Sequence, residues 1–185
     1  MYNISTLTFF TAPDNFLYGS LPTNLGLKLP NLQIIGIAGN RFSGKIPVSI
    51  TNCTKLEVID LGDNKFEGHV PYNLGYLLNL RILSLQGNLL GSNSAGDLNF
   101  LVPLTNCSNL EILSLAKNNF GGELPNILHN LSYQLTHLYL SENKISGAFP
   151  SGIENLVHLY ILSLANNLFT GVLPSDVGKL QKLEV

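Results

Sequence analysis

One motif recurs seven times in phase, and it leaves the chain little choice of fold. Aligned on an asparagine, the copies read LTFFTAPDNFLYGSLP, LQIIGIAGNRFSGKIP, LEVIDLGDNKFEGHVP, LRILSLQGNLLGSNSA, LEILSLAKNNFGGELP, LTHLYLSENKISGAFP and LYILSLANNLFTGVLP. The asparagines are Asn15, Asn40, Asn64, Asn88, Asn118, Asn143 and Asn167, at steps of 25, 24, 24, 30, 25 and 24 residues. A unit this short cannot enclose a core of its own. It buries its apolar edge only by stacking on the units before and after it, so the sequence predicts a solenoid rather than a globule.

Each position of the template LxxLxLxxNxLxGxIP has a physical role. The alternating LxL core, such as Ile59 and Leu61 or Leu113 and Leu115, predicts a short strand with one face buried and the other free. Strands of successive copies would pair in parallel, about 4.8 Å apart. The asparagine turns the chain out of the strand. Its amide can both donate to and accept from backbone groups of neighbouring coils that would otherwise be buried unpaired. Phe42, Phe66, Phe120 and Phe169 share the slot two residues later and are expected to stack as a core spine. A glycine then permits a tight backbone path, and a proline fixes φ after it.

This template resembles the plant-type leucine-rich repeat, whose Gly-x-Ile-Pro ending is its mark. The resemblance covers essentially all of residues 1–185. It implies an α/β solenoid of about seven coils, with a parallel sheet on the concave face of a right-handed curved superhelix. The fourth copy departs from the pattern: Asn88 is followed by Ser92 and Ala95 in place of Gly and Pro, and the coil is lengthened over about 89–109. The segment GSNSAGDLNFLVPLTNC predicts a helical turn capped by Asp97, with Leu98 and Leu101 on one face and Phe100 and Leu104 nearby, bulging from the convex or lateral side. A lengthened coil of this kind is similar to one in the plant receptor-kinase subfamily of the flagellin and elongation-factor sensors. At the ends, MYNISTL is already in mid-coil and LQKLEV stops short of a strand, without polar caps. The expectation is an internal fragment of a longer array, or a truncated gene product, that associates through its open ends.

Composition narrows the function. Apolar residues make up 45% and charged residues 12%, so a disordered chain is excluded. The net charge of −2 and thinly spread Lys and Arg give no stripe for nucleic acid. No run approaches the roughly 18 apolar residues of a membrane span, so this segment is not expected to contact membrane, and no signal peptide is recognisable. His69, His129, His137 and His158 show no metal-ligand spacing, and phosphate loops and kinase signatures are absent. No enzyme activity, metal or cofactor is expected of this chain.

A binding protein would use the free face of the sheet. Between the buried pair of each strand, the aligned column reads Thr11, Gly36, Asp60, Ser84, Ser114, Tyr139, Ser163. Next come Pro13, Ala38, Gly62, Gln86, Ala116, Ser141, Ala165, and then Asp14, Gly39, Asp63, Gly87, Lys117, Glu142, Asn166. Small side chains would let an extended peptide approach the backbone. Asp60, Asp63, Gln86, Lys117, Tyr139 and Glu142, with His137 from the preceding position, are the candidate ligand-binding residues. Off this face, Arg41 and Lys65 are like charges on adjacent coils, with Glu67 a near candidate to answer them.

Cys53 and Cys107 fall in a slot filled elsewhere by Ile4, Leu29, Leu77, Leu156 and Leu180, so they are expected to point inward as small hydrophobes. Two coils, roughly 10 Å, separate them, beyond disulfide reach. Asn3, Asn52, Asn106 and Asn130 head Asn-x-Ser/Thr sequons and are candidate glycosylation sites, conditional on secretion, on the side away from the sheet.

The resemblance implies an extracellular ligand-recognition segment of a plant receptor-like kinase. Such a parent would hold this segment on the outer face of the plasma membrane, bind a peptide or protein, and engage a co-receptor kinase of the same repeat type in cell-surface or defence signalling. Its serine/threonine kinase and transmembrane helix lie outside this sequence. Two alternatives stay open at this point: a secreted inhibitor of cell-wall enzymes, like the polygalacturonase inhibitors of this repeat type, and a truncated scaffold without ligand.

Overall fold

The fold is described for residues 4–184 by a computed structural model. Asn3 lies outside the described residues. The LxL segments form strands of three residues: Phe9–Thr11, Ile34–Gly36, Val58–Asp60, Ile82–Ser84, Ile112–Ser114, His137–Tyr139 and Ile161–Ser163. They make one seven-stranded parallel sheet in which spatial order equals chain order. Pairing is rung on rung: Gly36 faces Asp60, Asp60 faces Ser84, Ser84 faces Ser114, and Ser114 faces Tyr139. The middle residues Ile35, Ile59, Leu83, Leu113 and Leu138 are buried, so the side chains flanking them are left on the open face.

A second line of short strands, which the sequence reading did not anticipate, follows the asparagines. Tyr18–Gly19, Arg41–Gly44, Lys65–Gly68 and Leu89–Leu90 form one parallel group, and Gly121–Glu123, Lys144–Ala148 and Leu168–Thr170 another. The wedge between the two lines holds the phenylalanine spine. Phe66 and Phe120 are fully buried, and Phe42 stacks on Phe66 with centroids 6.5 Å apart. The fourth coil has Leu90 in this slot, and Phe100 from the lengthened segment reaches in to lie 5.9 Å from Phe120. The insert thus sets an aromatic ring beside Phe120 where its own coil carries leucine in the spine slot.

The asparagine amides bind coil to coil. Asn64 Nδ2 donates to Ile37 O of the preceding coil at 2.9 Å and to Leu61 O and Gly62 O of its own, while its Oδ1 accepts from Phe42 N. Asn88, Asn118, Asn143 and Asn167 repeat the arrangement, each accepting from the coil before: Phe66, Leu90, Phe120 and Ile145 N–H. Asn40 does the same with Leu17 N and Ala12 O, whereas exposed Asn15, among the described residues, bonds only Pro13 O and Ala12 O of its own turn.

The return side of each coil carries short helical turns, among them Val48–Asn52, Tyr72–Tyr76, Leu101–Leu104 and Leu128–Asn130. Cys53 and Cys107 follow two of them, fully buried and unbridged. Their thiols donate to Leu29 O and Leu77 O, and burial pushes both thiol pKa values up to about 11.

At the lengthened coil one expectation is corrected. Asp97 does not cap the turn Leu101–Leu104, which has Phe100 before it and no side-chain cap. Its carboxylate turns back instead. It accepts from Ser92 N and Ser94 N at 2.9 and 3.1 Å, from both serine hydroxyls at 3.0 Å, and from Gly121 N–H of the next coil at 3.0 Å. The insert passes directly over that glycine: a Cβ on Gly121 would lie 2.7 Å from Asn93 Cα, inside any permitted contact. This crossing is what separates the second line of strands into two groups.

Candidate functional site

Around Gly62 the open face of the seven-stranded sheet is shaped by what is missing from it. A Cβ on Gly62 would stand 3.2 Å from Gln86 Cγ, 3.3 Å from Ser84 Oγ and 3.4 Å from Asp60 Oδ1. Glycine there lets these three side chains close into one polar patch. Asp60 Oδ1 accepts from Gly62 N–H at 3.3 Å, and Gln86 Oε1 accepts from the Ser114 hydroxyl at 2.9 Å. Asp60 and Gln86 are therefore held in place before any ligand arrives, which lowers the ordering cost of binding.

Asp63, Lys117 and Glu142 stand elsewhere. With Asp14 and Asn166 they adopt left-handed backbone, φ 49° to 56°, and Gly39 and Gly87 complete the column at φ 66° and 63°. The third column is thus a stack of left-handed turns at the rim, where the chain leaves the strand for the asparagine. Five of its seven members are Gly, Asp or Asn, the residues that tolerate this region best. That compositional signal was readable. Lys117 Nζ and Glu142 Oε1 pair across adjacent coils at 3.7 Å, both well exposed, an interaction of little stabilising weight in water.

His137 and Tyr139 form an aromatic corner with Tyr160, each ring centroid 5.9 Å from that of His137. The Thr136 hydroxyl donates to Glu111 O at 3.0 Å and lies 2.7 Å from His137 Nδ1. With the hydroxyl proton directed at the carbonyl, Thr136 Oγ1 is free to accept from a proton on His137 Nδ1. A hollow of 410 Å³ opens beside this corner, lined by Gln134, Thr136, His137, His158, Tyr160 and Lys182.

One polar column was missed. The template position before His137 carries Gln33, Glu57, Arg81, Glu111, Thr136 and Tyr160, linked rung to rung by backbone hydrogen bonds. Arg81 grips Glu111 through two parallel bonds of 2.9 and 3.0 Å, and this carboxylate holds the guanidinium pKa above its usual value. Away from the sheet, Arg41 lies over the Phe16 ring at 4.8 Å, and Glu67 makes no ion pair among the described residues. Glu67 thus does not answer Arg41 and Lys65 as expected, and Arg41 has a cation–π contact instead.

Among the described residues no His, Cys, Asp and Glu group could hold a metal ion, and no helix is long and apolar enough to cross a membrane. The open face offers preset hydrogen-bonding groups, aromatic edges and small side chains over the sheet.

Comparison with known proteins agrees. The Leucine Rich Repeat family profile matches residues 31–53, 55–77, 109–131, 134–156 and 158–180, more than half of the chain, and skips the lengthened coil. Over 75 residues the chain is 49% identical to the LRR receptor-like serine/threonine-protein kinase EFR of Arabidopsis thaliana, covering 40% of this chain and 7% of that protein. The plant peptide hormone receptor RGFR1, solved in complex with RGF2, is similar at a TM-score of 0.87 and 33% identity, over 96% of this chain and 27% of that one. The Arabidopsis receptor kinase HAESA, solved with the peptide hormone IDA and the co-receptor SERK1, gives 0.88 and 29% over 98% of this chain and 29% of that one. Periodicity, sheet register, asparagine ladder and these likenesses agree: the chain belongs to the leucine-rich-repeat family, in the form that builds the ectodomains of plant receptor-like kinases.

Proposed function

We propose that the chain is one stretch of the extracellular sensing array of a plant receptor-like kinase, and that its open sheet binds an extended peptide. One observation carries this reading. The column Gly36, Asp60, Ser84, Ser114, Tyr139 and Ser163 runs in strict register over six rungs, small or polar throughout, with Asp60, Gln86, His137 and Tyr139 already oriented. A peptide laid across the rungs meets one new side-chain set about every 5 Å, which suits extended backbone and gives specificity by position. Asp63, Lys117 and Glu142 on the rim would read flanking charges. The RGFR1 and HAESA complexes, both with peptide hormones, support the ligand class, and the SERK1 co-receptor in the latter supports a second receptor kinase as partner. Within the family, the finer assignment we infer is the subfamily of the flagellin and elongation-factor sensors, on the form of the lengthened coil alone.

The test is a screen of the chain against a synthetic library of extended peptides, with hits measured by calorimetry. Tyr139→Ala and Asp60→Lys are expected to weaken binding at least tenfold, while Lys55→Glu on the exposed edge leaves it unchanged. Peptide binding that survives both sheet substitutions would remove the sheet as the binding face.

A further inference from the structure

The slot just before the first leucine of the template carries Asn31, Lys55, Gln134, His158 and Lys182, among others. Its two lysines are held differently. Lys55 Nζ donates to the amide oxygen of Asn31 at 2.9 Å. Lys182 Nζ lies 2.9 Å from His158 Nδ1. An ammonium has only protons to offer, so this ring nitrogen presents its lone pair to it. The Tyr133 ring meets the His158 imidazole edge-on, centroids 4.8 Å apart, and steadies it. Arg81, Lys117 and Lys179 each meet a carboxylate within 4 Å, whereas Lys182 meets none among the described residues.

Its setting separates Lys182 from other unpaired lysines. With His158 it lines the hollow of 410 Å³, whose remaining lining residues are Gln134, Thr136, His137 and Tyr160. No acid is among them. The carboxylate of Glu111, on the coil before, is already taken by Arg81. Glu184 acts on the Tyr160 hydroxyl, whose pKa it raises above the ordinary value, but it does not line the hollow. The side-chain amide of Gln134 is exposed and has no hydrogen-bond partner among the described residues. The hollow thus gathers a cation and a free amide donor beside aromatic rings, with no anion to answer them.

We infer that this hollow is the subsite for an acidic side chain, glutamate or aspartate, of the bound peptide. The carboxylate accepts from Lys182 Nζ and Gln134 Nε2, and the methylenes that carry it lie against the His137 and Tyr160 rings. Lys182 can keep one proton on His158 Nδ1 and still turn two to the ligand, so no existing bond is lost. The ion pair forms against rings instead of in open water, which strengthens it. Thr136 and Tyr160 stand three residues before Tyr139 and Ser163, roughly 10 Å along the strands. The hollow therefore lies beside the column that the peptide backbone would follow, where a side chain can reach it. The inference rests on the reading of the sheet as a peptide-binding face, and it adds the charge of one ligand residue and its place at the sixth and seventh rungs.

The experiment follows the histidine ring protons of the 185-residue chain by NMR near neutral pH. N-acetylglutamate α-amide, N-acetylglutamine α-amide and N-acetylalanine are titrated in turn. These probes are too short to span the sheet, so the two readings fail separately. Peptides that bind while the probes do not would sink this inference alone, and the reverse would sink the sheet alone. The glutamate probe is expected to move the His137 and His158 signals but not those of His69 and His129, and to bind about fivefold more tightly than the glutamine probe. Lys182→Gln should abolish that preference, Lys182→Arg should keep it, and Lys55→Gln, in the same slot on another coil, should leave it unchanged. Equal binding of the two probes, no shift at His137 and His158, or a preference that survives Lys182→Gln would overturn the proposal. Tighter binding of N-acetylalanine would also overturn it, by assigning the hollow to a chain terminus.

Discussion

The Asp97 carboxylate of the lengthened coil accepts the Gly121 N–H of the next coil at 3.0 Å. It bridges the place where the second line of strands is broken, and four further donors from Ser92 and Ser94 converge on it. A carboxylate with a fully buried side chain survives there as an anion because every donor faces it. Burial alone would raise its pKa, but the hydrogen bonds from Gly121, Ser92 and Ser94 outweigh that and hold it at about 2. The folded value is below the unfolded value of about 3.9, so the carboxylate stabilises fully above pH 5 and the contribution fades as pH falls toward 2. It amounts to about 2 kcal/mol. Asp97→Asn is expected to lower the urea midpoint at pH 7, and the gap to the parent protein should shrink as the pH is taken from 5 to 2. A gap independent of pH would show that the charge is not what holds the crossing.

The asparagine ladder gives a second prediction, built on a contrast between its members. Asn88→Ala leaves Phe66 N–H buried without a partner, at roughly 1–3 kcal/mol, and leaves Leu61 O with the bond from Asn64 Nδ2 alone. Asn15→Ala removes bonds within one exposed turn and should cost about 1 kcal/mol or less. Equal destabilisation of the two variants in urea would mean that the ladder acts through the turn and not between coils.

What the chain revealed in advance follows from its period. A repeat of 24 or 25 residues puts the same template position on the same rung, so the register of Gly36, Asp60, Ser84, Ser114 and Tyr139 could be read by counting. The Glu57, Arg81 and Glu111 run was equally visible one position earlier. The role of Asp97 was not, because its donors come from three places that meet only when the insert crosses the next coil. Its single trace is the doubled glycine Gly121 and Gly122, where the other coils carry a side chain before the template glycine. The left-handed rim was legible in the Gly, Asp and Asn of its column, with Lys117 and Glu142 the two members that depart from that composition.

The buried thiols yield an alkaline prediction. The pKa values of Cys53 and Cys107 are pushed up to about 11 by burial, above the unfolded value of about 8.5. A raised folded value means the stabilisation is whole below pH 8 and is lost as pH climbs toward 11. Neither thiol should react with a thiol-exchange reagent at pH 8 until urea unfolds the chain, and replacing both by Ala should flatten the loss of stability between pH 8 and 11. Rapid labelling of the native protein would contradict the inward placement.

Lys117 separates what the fold wants from what a binding face wants. Its φ of 55° places a long side chain in the left-handed region, at a cost of roughly 1–2 kcal/mol that glycine avoids, and Gly39 and Gly87 already fill the same position on other coils. Its exposed ion pair with Glu142 recovers little of that. Lys117→Gly is therefore expected to raise stability by about 1 kcal/mol, less the entropy that glycine adds to the unfolded chain. If the rim reads ligand charge, the same substitution weakens peptide binding, and Lys117→Asn should stabilise with the same loss of affinity. A variant that is both more stable and an undiminished binder would place Lys117 outside the recognition surface, leaving Asp60, Gln86, His137 and Tyr139 on the sheet to carry it.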